Sequence, residues 1–95
     1  TLFCILLLSA MSAVAQNDIE GVKQTLLNYK NALEKLDVTG TETLFASNSQ
    51  IIESGKVEGS YQDYLAHHIG PELGDFQSFK FENYKVDVTI SGDYA

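Results

Sequence analysis

The sequence predicts an α+β fold in which three N-terminal helices pack on a curved, mainly antiparallel sheet. Three observations carry that expectation. An apolar stripe, Ile19, Val22, Leu26, Tyr29, Leu33 and Leu36, recurs at intervals of 3, 4, 3, 4 and 3 residues, which is one face of a long helix. A β-branched pair, Ile51-Ile52, is bounded by Ser, Asn and Gly, as a short strand is. The third is a run of alternating residues over 79–90 that changes phase: Phe79 and Phe81 are apolar at odd positions, Tyr84, Val86, Val88 and Ile90 at even ones. One residue too many has entered that alternation, which predicts a β-bulge at Glu82-Asn83. A sheet bent there wraps its helices as a cone and leaves a cavity.

The opening segment, T-L-F-C-I-L-L-L-S-A-M-S-A-V-A-Q, is uncharged and ends in Ala13-Val14-Ala15, the small-x-small pattern of a signal-peptidase site. Residues 1–15 are therefore expected to be the apolar and cleavage regions of a secretory signal peptide whose basic region precedes Thr1. The apolar run is shorter than the ~20 residues a membrane span needs, and Asn17, Asp18 and Glu20 follow at once. The domain is thus expected to be exported, periplasmic or secreted, and off the membrane once cleaved. Cys4 falls inside the leader, so residues 16–95 contain no cysteine, which excludes disulfides, thiolate metal sites and cysteine nucleophiles from them.

Asn17 and Glu20 form the capping pair expected to open the first helix, with Lys23, Lys30, Glu34 and Lys35 on its wet side. Asp37-Val38-Thr39-Gly40 is expected to close it, because glycine tolerates the left-handed geometry of a helix end. Residues 41–46 suit a second, short helix packed through Leu44 and Phe45. From Ser47 to His68 the chain reads as a strand ending at Glu53, a turn bracketed by Gly55 and Gly59, and a third helix capped by Ser60. That helix holds Tyr61, Tyr64, Leu65 and His68 at i, i+3, i+4 and i+7 on one face. Ile69-Gly70-Pro71 is expected to break it, since a residue before proline avoids helical geometry. Ser91-Gly92-Asp93 is a hairpin signal, and residues 16–95 are expected to be the N-terminal portion of one domain with its remaining strands beyond Ala95.

All 13 acidic and all 6 basic residues lie after Ala15, every base is lysine, and the net charge is −7. A chain this acidic has no footprint for nucleic acid or for an anionic membrane. No serine elbow, phosphate-cradling glycine loop or cysteine pair occurs, so hydrolase, nucleotide-binding and redox readings have no residues to rest on, and no cofactor is expected.

The order of two helices, a strand, a third helix and long antiparallel strands resembles the nuclear transport factor 2-like, or SnoaL-like, superfamily, which has a cystatin-like fold. The stretch N-Y-K-N-A-L-E-K-L-D-V-T-G-T-E-T-L-F-A-S-N-S-Q-I-I-E-S is similar to the corresponding run of bacterial ketosteroid isomerases and covers about a third of the chain. The resemblance implies that Tyr29 occupies the place of the phenol that donates to a developing oxyanion, and Glu53 that of the carboxylate that moves the proton. Here the carboxylate is Glu where the isomerases have Asp. Fold alone does not choose an activity within such a superfamily.

These residues define the candidate site. Glu53, closing an apolar strand, is either a desolvated base or a solvent-facing partner of Lys56. Tyr29 either serves an oxyanion or packs its ring in the helix stripe. His68 completes the catalytic set, as acid, base or orienter, or as a satisfied structural residue. Tyr64, Tyr61, Glu58 and His67 are the candidate ligand-binding residues. Adjacent histidines without a third ligand at i+4 match no metal pattern, and no metal is expected. The expected function is binding of a small, partly apolar molecule in a cavity, with isomerase- or lyase-type proton transfer. The alternative is a non-catalytic module with a packed cavity that docks a partner, and a homodimer is expected.

Overall fold

A computed structural model describes the backbone from Leu2 to Ala95 and side chains from Gln16 onward. The signal peptide expected over residues 1–15 lies outside the residues whose side chains are described. The fold is α+β, with one two-stranded antiparallel sheet among the described residues. The chain divides into two compact units, Thr1–Leu27 with Tyr84–Ala95, and Asn28–Asn83.

The first helix, α1 (Leu2–Glu34), contains the whole expected stripe except Leu36. Asn17 does not cap it: the helix passes through that position, and Gln16 Nε2 donates to Glu20 Oε1 at 3.0 Å across one turn. Ile19, Val22 and Tyr29 are half-buried and Leu33 is buried, but Leu26, midway along the stripe, is exposed, so the stripe is covered only in part. Lys30 and Glu34, expected on the wet side, pair one turn apart and are half-buried.

The helix ends earlier than Gly40, and by a different residue. Leu36 takes the left-handed conformation (φ 57), while its N–H donates to Leu33 O and the Asp37 N–H donates to Ala32 O, each at 3.0 Å. These two bonds are the six-to-one and five-to-two closure of a helix C-terminus, built here around leucine where glycine is usual. Asp37 Oδ1 then accepts from the Thr39 N–H at 3.0 Å, and a hydrogen bond from the Thr39 side chain, followed by this backbone bond, holds the exposed Asp37 carboxyl below the ordinary carboxylate value. Gly40, also left-handed (φ 79), leads into a 3-10 turn over Thr41–Leu44 in place of the short helix expected over 41–46.

The next element is a hairpin where the sequence suggests a strand followed by a turn. Strand β1 (Ile51–Glu53) pairs antiparallel with β2 (Lys56–Gly59) through a two-residue turn, Ser54-Gly55, with φ 52 and 78. Two positive φ values in succession make the turn whose twist suits a tight hairpin. Ile52 faces Val57 and Glu53 faces Lys56, but Ile51 faces Gly59, so Glu58 is an extra residue on β2. The bulge expected at Glu82-Asn83 does not form, because those residues are not in a strand; the irregularity at Glu58 is a separate one. Gly59 permits it with a φ of 105.

Ser60 caps the following helix as expected, its Oγ accepting from the Asp63 N–H at 3.2 Å. Helix α2 (Tyr61–Tyr64) is continued by a π-turn over Leu65–Ile69 and then by α3 (Gly70–Gly74). The break expected at Ile69-Gly70-Pro71 is absorbed by that wide turn. Pro71 is the second residue of α3, so its missing N–H interrupts the backbone bonding of the continuous helix just after the wide turn. Leu73, beyond the π-turn, is buried.

Residues 79–90 form no ladder; their one marked irregularity is Asn83, left-handed at φ 56, at the expected phase change and at the boundary between the two units. A ladder needs a second strand, and among the described residues no strand pairs with this segment. Phe76, Phe79 and Phe81 meet edge to face instead, with ring centroids 5.7 and 5.3 Å apart. The turn at 91–94 does form, Ser91 and Tyr94 exchanging backbone bonds of 2.8 and 3.0 Å.

Candidate functional site

The unit Asn28–Asn83 holds every candidate residue, but distributes them between an interior cluster and a surface group. The interior cluster begins with Tyr29 on α1. Its ring meets Phe45 and Tyr61 edge to face at 5.3 and 5.9 Å, while Phe45 and Tyr61 stack with centroids 3.7 Å apart. Tyr61, at the N-terminus of α2, is 3% exposed, as is Thr41. Three aromatic rings in mutual contact are a packed core, and the hollow beside Tyr61 measures only about 170 Å³.

The hydroxyls of this cluster are ordered. Thr41 Oγ1 donates to Val38 O at 2.7 Å, which uses its only proton. Tyr61, 2.8 Å from Thr41 Oγ1, must therefore donate to it, leaving the Tyr61 oxygen to accept from Tyr29. Burial, then that bond to Tyr61, push the Tyr29 hydroxyl well above the ordinary tyrosine value. Tyr29 thus spends its proton inside the core.

The surface group is built by the hairpin bulge and the π-turn. The bulge turns the half-buried Glu58 toward the helix, where its Oε2 lies 3.0 Å from His68 Nε2. His68 is carried by the π-turn and stacks on Tyr64 at 5.6 Å and 19°. Burial, followed by the charges of Glu53, Glu72 and Glu58, raises the Tyr64 hydroxyl above its usual value. Glu53 itself is exposed at the end of β1, close enough to Tyr64 to act on it through space. His67 is exposed on the flank of the helix. The structure therefore brings Glu58, His68 and Tyr64 together, with Glu53 at their edge, and sets Tyr29 and Tyr61 apart in the core.

The chemistry of the surface group follows from its geometry. A carboxylate can only accept, so the His68 nitrogen facing Glu58 carries the proton. In the neutral imidazole the other nitrogen, Nδ1, is then the free base. Glu72 was the one contributor to this electrostatic environment absent from the sequence candidates, and its signal was its place one turn after His68 on the same helix. Among the described residues no three His, Cys, Asp or Glu side chains gather as metal ligands, and no helix is long and apolar enough to cross a membrane. No family model, curated protein or solved structure matches this chain.

Proposed function

We propose that this chain is an exported domain of the nuclear transport factor 2-like kind, with helices against a curved antiparallel sheet, that binds a small, partly apolar molecule at the face formed by Tyr64, His68 and Glu58. In this reading the chemistry is an isomerase- or lyase-type proton transfer. His68 Nδ1 accepts the proton, Glu58 fixes the tautomer and stabilises the imidazolium that forms, and the Tyr64 ring supplies the apolar floor. The observation that carries it is the 3.0 Å pairing of Glu58 with His68, made by two separate backbone irregularities and left partly open to solvent. Tyr29 has a structural part here, because its proton is committed to Tyr61. The test is a fragment screen by NMR with small carbonyl compounds bearing one apolar ring. Binders are expected to shift the Tyr64 and His68 ring signals and to be lost in Glu58→Gln and His68→Gln. Binders that shift other residues and are retained by both variants would overturn the site.

A second reading is supported by one observation. Ile52 and Val57 face each other across the hairpin and are 66% and 54% exposed. An open β-branched pair on a two-stranded sheet suits pairing with a second copy of the chain, the homodimer expected from the sequence. A dimer by light scattering that Val57→Lys converts to monomer would support this docking role.

A further inference from the structure

We propose that Gly70 is a positioning residue for the His68–Glu58 pair, acting through the π-turn that carries His68. The inference rests on the site proposed above. Within the π-turn the Gly70 N–H donates to Leu65 O, five residues back, so that the backbone at Gly70 comes hard against that carbonyl. A Cβ added at Gly70 would overlap Leu65 O, which is main chain and has no soft end to move aside. With any larger residue the wide turn cannot close in this form. The φ and ψ of Gly70, −61 and −58, are ordinary helical angles, so glycine is required by space and not by conformation.

What the wide turn does can be read from its neighbours. A π-turn is a one-residue insertion absorbed by a helix, and such insertions recur at functional sites because they displace side chains within the turn while the flanking turns stay in place. Here α2 is fixed before it by the Ser60 cap and the buried Tyr61, and α3 is fixed after it by the buried Leu73. The residues between are the ones free to be re-aimed, and His68 is among them. On the facing strand, the bulged residue is Glu58, held by Gly59, whose own added Cβ would come within 3.1 Å of Asp63 Oδ2. Each irregularity depends on a glycine, and the two meet in a single contact of 3.0 Å.

The proposal separates the turn from the fold, and deletion does the same in experiment. Ala66 is exposed within the π-turn, and removing it, in a Pro71→Ala background that takes the proline out of the helix interior, should let the helix close as a regular α-helix. A regular turn tolerates alanine at position 70. The readout is the tautomer of His68, measured from its imidazole ¹⁵N shifts at a pH where titration of the same signals shows the ring to be neutral. In the native chain a single Nε2–H tautomer is expected, because Glu58 accepts from Nε2. Gly70→Ala alone is expected to lose thermal stability. The Ala66 deletion combined with Gly70→Ala in that background is expected to recover the cooperative melt and helical circular dichroism, yet to lose the fixed tautomer and give a mixture. A folded Gly70→Ala chain, or a folded double variant, that keeps the Nε2–H tautomer would overturn the positioning role. So would a double variant that fails to fold, because the π-turn would then be required by the fold itself. A native chain that shows a mixed tautomer would instead overturn the site reading, which keeps the two failures distinct.

Discussion

Replacing Tyr61 with Phe removes one oxygen atom and keeps all three rings of the interior cluster, which makes it a clean probe of the ordered hydroxyls. In the native core Tyr29 donates to Tyr61, Tyr61 to Thr41, and Thr41 to Val38 O. Tyr61→Phe leaves the half-buried Tyr29 hydroxyl without its acceptor and removes the donor to Thr41, whereas Tyr29→Phe removes only the first donor and leaves Tyr61 bonded to Thr41. An unmet buried polar group costs about 1–3 kcal/mol, and a hydrogen bond removed from a partner that keeps another costs about 0.5–1.5 kcal/mol. Tyr61→Phe should therefore destabilise by about 2 kcal/mol and Tyr29→Phe by about 1 kcal/mol or less. For a domain of this size each kcal/mol moves Tm by roughly 4–8 °C, so the two variants should melt roughly 4–8 °C apart, with Tyr61→Phe the lower. Far-UV circular dichroism is the suitable assay, with urea titration as a second measure, because the chain has no tryptophan. Equal losses, or a larger loss from Tyr29→Phe, would refute the direction assigned to the chain of hydroxyls.

Two other consequences are open to measurement. The Tyr29 hydroxyl is raised above its ordinary value of 10.0 in the folded chain, so the unfolded chain releases a proton that the folded one keeps as pH rises past that value. Stability should then be level below about pH 9 and fall from about pH 10 upward, a slope that Tyr29→Phe reduces; an unchanged alkaline slope in the variant counts against the assignment. In the hairpin, Gly55 is left-handed at φ 78 with open space where a Cβ would go, so Gly55→Ala should cost about 1 kcal/mol in urea unfolding from backbone strain alone. A neutral Gly55→Ala would argue against the two-residue turn.

The helical parts were legible because they repeat. The stripe on α1 and the cap at Ser60 both follow from spacing, and the face shared by Tyr61, Tyr64 and His68 follows from the same period. Strand β2 was hidden because Lys56-Val57-Glu58-Gly59 has one apolar residue and two charges, yet the Ser54-Gly55 pair between short runs was a hairpin signal in its own right. The end of α1 was misplaced because a left-handed leucine is costly, and only the surrounding packing makes Leu36 adopt it in preference to waiting for Gly40. Over 79–90 the pattern reports what a strand would bury, and a ladder additionally requires a partner that spacing does not supply. Tyr29 was correctly placed on the covered face of α1, whereas the commitment of its proton depends on Thr41, twelve residues later, and on Tyr61, on another helix.

The candidate site was the least legible part for a related reason. Periodicity detects residues that repeat, and both devices that build the Glu58–His68 contact are single extra residues that interrupt a repeat. A bulge shifts the strand phase by one, so Glu58, which alternation alone would leave undecided, is turned toward the helix. A π-turn lets the helix run through Gly70-Pro71, the signal that sequence reasoning takes for its end. Glycine at 59 and 70 marks both places, and in each the added Cβ would meet a neighbouring oxygen, Asp63 Oδ2 in one case and Leu65 O in the other. A glycine whose φ is unexceptional, as at Gly70, is therefore informative in a different way from one with positive φ. It marks a close approach of backbone to backbone, and here that approach spans the turn that carries the only histidine paired with a carboxylate among the described residues.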